Sequence, residues 1–271
     1  LFRSVKDNFI SPLIAAFKIE AINQDSTALV IKVNDIYDGT ETSINNVFTN
    51  INLGTSTIKN LSRILSIKSF PNNVVATSEL TTKVTEGTTS VYVTVEVSSS
   101  ILLLPEKPMT GRFDNQKVGY FTNPLLSFSD AQQGTDKKQY ITRWRMEPKP
   151  EDREAYLKGQ TVEPIKPIVF YIDNSTPYQW RSYIKKGIED WQTAFEKAGF
   201  KNAIIAKEIT DSMHVDMDDV NYSVLTYAAS EKKNAMGPSL LDPRSGEILE
   251  ADIMWWHNVL SMVREWITVQ T

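Results

Sequence analysis

Over most of the first half of the chain, apolar and polar positions alternate with period two, the signature of strands with one face buried. Phe17-Lys18-Ile19-Glu20-Ala21 and Leu29-Val30-Ile31-Lys32-Val33 form a predicted hairpin about the turn-rich Asn23-Gln24-Asp25-Ser26. Further strands are predicted over Leu61–Lys68, Asn73–Lys83 and Ser90–Val97. Phe70-Pro71-Asn72-Asn73 makes the turn between the first two, and Val91, Val93, Val95 and Val97 share one face of the third. Val118–Thr122 and Gln139–Arg145 read as closing strands, whereas the Thr- and Asn-rich Asn34–Thr57 fits a short helix or a long loop.

Beyond Met146 the pattern changes. Prolines at 148, 150, 164 and 167 forbid regular ladders, which predicts a linker over residues 146–166 between a β-rich domain, 1–145, and a second domain, 167–271. The second domain opens on an apolar strand, Ile168–Ile172. A Ser or Thr of Asp173-Asn174-Ser175-Thr176-Pro177 is then expected to cap a helix that proline enters. Trp180, Ile184, Ile188, Trp191 and Phe195 recur at helical spacing up to Gly199, placed to end the helix in the left-handed conformation. Strands follow at Ala203–Glu208 and Ser223–Tyr227 around an acidic loop, Asp211–Asp219, and strand-helix-strand is the order of a parallel crossover. Ala235–Trp256 reads as a hairpin turning at Leu241–Gly246 and returning over Glu247–Met254; Pro238, which cannot donate to a ladder, puts the outgoing arm at a sheet edge. Val259, Leu260, Val263, Trp266 and Ile267 predict a final helix. The fold class is mixed, α+β.

Composition narrows the chemistry. The 271 residues are 41% hydrophobic and 23% charged, those of a folded chain, and the net charge of -4 lacks the basic excess that nucleic acid demands. Cysteine is absent, which removes disulfides, thiolate metal sites and cysteine nucleophiles. The apolar runs, such as Ile165–Ile172, are too short to span a bilayer. The two histidines, His214 and His257, belong to no H-E-x-x-H, and nucleophile-elbow, P-loop and dinucleotide-binding glycine patterns are missing too. The opening at Leu1 without a leader and the close at Thr271 just after an amphipathic stretch lead us to expect a fragment.

Several blocks carry a resemblance: Pro167-Ile-Val-Phe-Tyr-Ile-Asp173, Asn234-Ala-Met-Gly-Pro-Ser239, Asp242-Pro-Arg-Ser-Gly-Glu-Ile-Leu249, Ala251-Asp-Ile253 and Trp255-Trp-His-Asn258. Upstream, Leu104-Pro105-Glu106-Lys107-Pro108, Val118-Gly119-Tyr120-Phe121-Thr122 and Arg143-Trp144-Arg145 extend it over nearly the whole chain. Together they resemble a family of large bacterial zinc-dependent metallopeptidases of the metzincin type, akin to the A subunit of an AB5-type toxin. The resemblance implies a β-rich accessory domain followed by the first part of a catalytic α/β domain, with a mixed sheet and one antiparallel edge strand. It implies export to the periplasm or the extracellular space, zinc as cofactor of the complete enzyme, and a peptide or protein substrate. It also implies a zinc helix, with H-E-x-x-H and a third histidine, lying beyond Thr271. The chain itself should then be inactive and hold no zinc. Its contribution would be the wall of the substrate cleft, an edge strand formed by Asn234, Ala235, Met236, Gly237, Pro238 and Ser239 that pairs with an extended peptide.

Plainer readings stand beside these. An edge arm blunted by proline needs no function. His257 fits a hydrogen-bonded residue at a strand-to-helix junction, His214 a solvated loop residue, and the tryptophans of the helix fit a core stripe rather than a sugar platform. The acidic loop has carboxylates for calcium but lacks the glycine and glutamate of an EF-hand. The alternative function is a non-catalytic module whose β domain binds a surface glycan or protein.

Overall fold

A computed structural model describes residues 13, 15–42, 44, 46–54, 56–129 and 132–270. The chain divides into two compact units, Leu1–Leu103 and Leu104–Thr271.

The first unit is built on three antiparallel strands, β3 (Arg63–Ser69), β4 (Asn73–Glu86) and β5 (Thr89–Leu102), with β4 in the middle. β4 and β5 pair without interruption from Asn73 opposite Leu102 to Glu86 opposite Thr89. The alternation of Ser, Thr and Val that predicts these strands falls short of their ends, because Val84-Thr85-Glu86 and Ser98–Leu102 continue the ladder without continuing the apolar alternation. The undecided segment 34–57 holds two single-turn helices, α1 (Asn34–Tyr37) and α2 (Val47–Asn50), whose Tyr37 and Phe48 are buried. Asn46 caps α2 by accepting from the Thr49 N–H. The expected first hairpin is present as β1 (Ile19–Ile22) and β2 (Leu29–Ile31), with both strands exposed along their whole length.

The second compact unit begins at Leu104. Residues 104–145, which the sequence pattern groups with the β-rich half, contribute the hairpin β6 (Thr122–Ser129) and β7 (Gln132–Ile141) and the short β8 (Arg143–Trp144) to this unit. The strand expected over Val118–Thr122 starts only at Thr122. The proline-rich segment 146–166 is packed, not a free connection. It carries α3 (Arg153–Leu157), stacks Tyr156 on Phe200 with ring centroids 5.0 Å apart, and buries Val162 beside Phe200 and Ala203. Backbone bonds from Val162 N–H to Gly199 O and from Lys201 N–H to Val162 O fix it in place.

The centre of the unit is a five-stranded sheet with β9 (Ile168–Ile172), β10 (Ile204–Glu208), β11 (Ser223–Ala228), β12 (Ala235–Met236) and β15 (Ile253–Trp256), in the order β10-β9-β11-β15-β12. Its first four strands are parallel and β12 runs antiparallel at the edge. The predicted crossover between β9 and β10 is made by α4 (Tyr178–Glu189) and α5 (Gln192–Lys197), two helices where the spacing predicts one. Ile184 and Ile188 of α4 pack on Ile168, Phe170, Ile172 and Leu225, as the stripe requires. Trp191 sits at the break between the helices, 65% exposed, so it is not a core residue. Neither Ser175 nor Thr176 caps α4. Pro177 takes the N-cap position, while Ser175 donates to Asp173 Oδ2 and Arg181 reaches back to the Asn174 and Thr176 carbonyls. Gly199 does end α5 at φ +92°.

The predicted hairpin over 235–256 spans two sheets. β13 (Ser239–Asp242) and β14 (Glu247–Ala251) pair with each other and, through β14, with β8. After a bend at Asp252 the return arm enters the five-stranded sheet as β15, opposite β12. Gly246 closes the turn at φ +74°, and a Cβ there would lie 2.6 Å from the Ile141 carbonyl oxygen. Gly246→Ala is therefore expected to cost about 2 kcal/mol in a denaturant titration, from a strained backbone plus displacement of the β7 end. The last helix is α6 (Val259–Gln270), with Trp266 and Ile267 exposed. Among the described residues no helix is long and apolar enough to cross a membrane.

Candidate functional site

The arm Asn234–Ser239 is set at the sheet edge by its own sequence. Ala235 and Met236 pair with Trp255 and Met254, and Pro238, without an N–H, stands in the break between β12 and β13. Every residue of the arm is exposed, Met236 at 48%. All six residues are exposed, with Ala235 and Met236 in the edge strand β12, Gly237 and Pro238 in the break, and Ser239 opening β13 of the neighbouring sheet. Two side chains anchor it. Asn234 Oδ1 accepts from the Ala235 N–H at 2.8 Å, and the Lys233 ammonium pairs with Glu265 on α6.

Behind the arm lies the bend. Asp252 donates its N–H to Pro238 O at 3.1 Å and its Oδ1 accepts from Val224 N–H at 2.8 Å, so a single residue links the arm to β11. Ala251 N–H donates to Ser223 Oγ beside it. Glu250, two residues before Asp252, is only 8% exposed, and its Oε1 is buried without a hydrogen-bond partner. Burial, reinforced by hydrogen bonding to Asp252 and by its charge, pushes the Glu250 carboxyl up to about 8.

On the far side of β14 an arginine network explains why the distant sequence blocks belong together. Arg145 grips Glu247 with two bonds, of 2.8 and 2.6 Å, and donates to Lys107 O. Arg244 binds both oxygens of the fully buried Asp242 and donates to Pro105 O. Arg143 donates to Thr110 O. The Asp242 carboxyl is held below its usual range, chiefly by the Arg244 side chain. This network is scaffolding: three arginines clamp residues 105–110 onto the hairpin that carries the arm.

The other candidates fall elsewhere. His257 lies just past β15, with Nδ1 2.5 Å from Tyr227 Oη and its N–H bonded to Ala228 O, the junction role expected for it. His214 is exposed in the acidic loop. In that loop Asp216 accepts from Asp218 N–H and Asp219 from Asn221 N–H, local turns of the Asx type. Among the described residues no three His, Cys, Asp or Glu side chains converge as a metal-binding group. Among the described residues the donors do not fit a zinc centre, which needs three protein ligands and an open position. Sequence reading missed the Glu250–Asp252 pair. The available signal was a pair of carboxylates two positions apart, Glu250 and Asp252, amid the apolar residues of the return arm.

An apolar recess of about 740 Å³ lies against α4, lined among others by Trp144, Phe170, Ile184, Leu225 and Trp255. It contains none of the arm residues.

A family profile described as a domain of unknown function, DUF5117, matches residues 1–149. No curated protein and no solved structure matches the chain. The match covers more than half of the sequence, and the chain belongs to the DUF5117 family.

Proposed function

We propose that this chain supplies the accessory domain and the substrate-binding wall of an exported zinc-dependent metalloendopeptidase of the metzincin type. The observation that carries the reading is the exposed antiparallel strand Ala235–Met236 at the end of a sheet that is otherwise parallel. Such an edge offers backbone groups to one more strand, and an extended peptide is the simplest strand to add. The arginine clamp keeps the hairpin rigid, which reduces the ordering entropy a bound peptide must overcome. The metal ligands of such an enzyme are not among these residues, so the chemistry assigned to this chain is binding and orientation only.

The test uses unstructured decapeptides, acetylated and amidated at their ends, titrated calorimetrically into the 271-residue chain. Binding is expected, and Met236→Pro, which takes a backbone donor out of β12 and disturbs the edge, is expected to weaken it at least tenfold. Equal affinity in the variant and the parent chain would refute the assignment. A second reading rests on the hairpin β1–β2, where Ile22, Leu29 and Val30 are all exposed. There the β-rich half is a recognition module for a surface glycan or protein. Peptide binding indifferent to Met236→Pro but abolished by Val30→Glu would favour it.

A further inference from the structure

We propose that Glu250, holding a proton, and Asp252 together act as a positioning pair for the arm, keeping it in place while Glu250 is protonated and loosening it when that proton leaves.

The geometry of the bend points to this. Asp252 is the residue through which the arm is tied to β11, by its N–H to Pro238 O and its carboxylate to Val224 N–H. Those two bonds span the break that Pro238 makes between β12 and β13, where ladder bonds cannot form. Beside this joint sits Glu250, nine-tenths buried, with an oxygen that no protein donor reaches. A proton on the pair supplies the missing donor, as Glu250 O–H to the Asp252 carboxylate. Arg145 is committed to Glu247 and Arg244 to Asp242, while Arg143 donates through Nη2 to the Thr110 carbonyl and its buried Nε has no partner. Charged side chains on the elements packed against β14 are Arg143 on β8 and Asp242 on β13, the latter neutralised by Arg244; β11 has none. Asp252 is the charged group that acts on the Glu250 carboxyl. A carboxyl buried without a donor favours its protonated form, and the raised titration of Glu250 fits that.

When that proton passes to solvent, a second negative charge appears next to Asp252. Its carboxylate is driven off the Val224 N–H, and the tie to Pro238 O lengthens with it. The arm then moves independently of the sheet. If the arm is the peptide wall proposed above, peptide binding weakens in the alkaline range. That consequence rests on the earlier reading, but the latch does not, and it is tested without peptide.

The experiment is amide hydrogen exchange on the full 271-residue chain at pH 6 and pH 9, corrected for intrinsic rates. Protection at Asp252, Val224, Ala235–Gly237, Ser239 and Leu240 is expected to fall at least tenfold between the two, while Ile168–Ile172 keeps its protection. Glu250→Gln, which cannot ionise, is expected to remove the difference. Protection that does not change with pH, changes equally in Glu250→Gln, or falls equally in β9 overturns the proposal. Infrared spectroscopy of the unmutated chain keeps the test independent of whether the variant folds. A protonated-carboxyl band present at pH 6.5 and lost by pH 9.5 is expected, and its absence at pH 6.5 overturns the pair.

Discussion

Asp242→Ala is expected to lower the free energy of unfolding by about 3–4 kcal/mol, the largest loss we expect from a single substitution in the second unit. The carboxylate is 0% exposed and binds both Nε and Nη2 of Arg244 as well as the Arg244 N–H. Truncation leaves the guanidinium and a turn amide without their acceptor and releases the clamp on Pro105. Asp242→Asn, which keeps the shape and one acceptor, should fall between parent and alanine. The pH dependence follows from the direction of the shift. With its folded titration below the ordinary 3.8, Asp242 stabilises fully above that value, and the contribution is lost as pH falls through the lower folded value. Urea titrations at pH 7 and pH 3 measure both effects: the gap between parent and Asp242→Asn should narrow in acid.

Glu250→Gln should act in the opposite direction. The folded carboxyl titrates near 8 against an ordinary 4.5, so between those values the folded chain keeps a proton that the unfolded chain has released. Its contribution is complete below about pH 4.5, declines as pH rises, and levels off above about 8. At pH 9 the parent chain holds an ionised, poorly solvated carboxylate that glutamine avoids. The variant is therefore expected to be more stable there by about 2–3 kcal/mol, well under the ceiling of roughly 1.4 kcal/mol per pKa unit because residual solvent screens the charge. At pH 5 the two should differ little. Thermal midpoints across pH 5–9 check this, and a parent chain whose stability rises over that range would contradict it.

How far the sequence carried the account depends on what each element rests on. Local periodicity dictates Ile168–Ile172, the stripe of Ile184 and Ile188, and the edge placement of Pro238, and the structure has all three. Boundaries set by distant partners were not legible. Residues 104–145 look like a continuation of the β-rich half, yet Pro105, Lys107 and Thr110 are held by arginines up to 139 positions away. Proline content at 146–166 suggests a linker, but Val162 and Tyr156 find Phe200 only in three dimensions. The expected cap on α4 failed because Ser175 had a stronger partner in Asp173. Of the candidate site, the edge placement of the arm could be read from Pro238, whereas the choice of Asn234–Ser239 as a binding strand came from the family resemblance. The carboxyl pair behind them could not be read from the chain, because its significance comes from burial.

The central claim is that Ala235–Met236 accepts another strand. Backbone amide shifts recorded while an unstructured decapeptide is titrated into isotope-labelled chain test it directly, with β10 as an internal control at the opposite edge of the same sheet. Saturable shifts at Ala235, Met236 and Ser239, with Ile204–Glu208 unmoved, are the predicted result. Shifts concentrated on β10 or on the β1–β2 hairpin, with the arm silent, would contradict it.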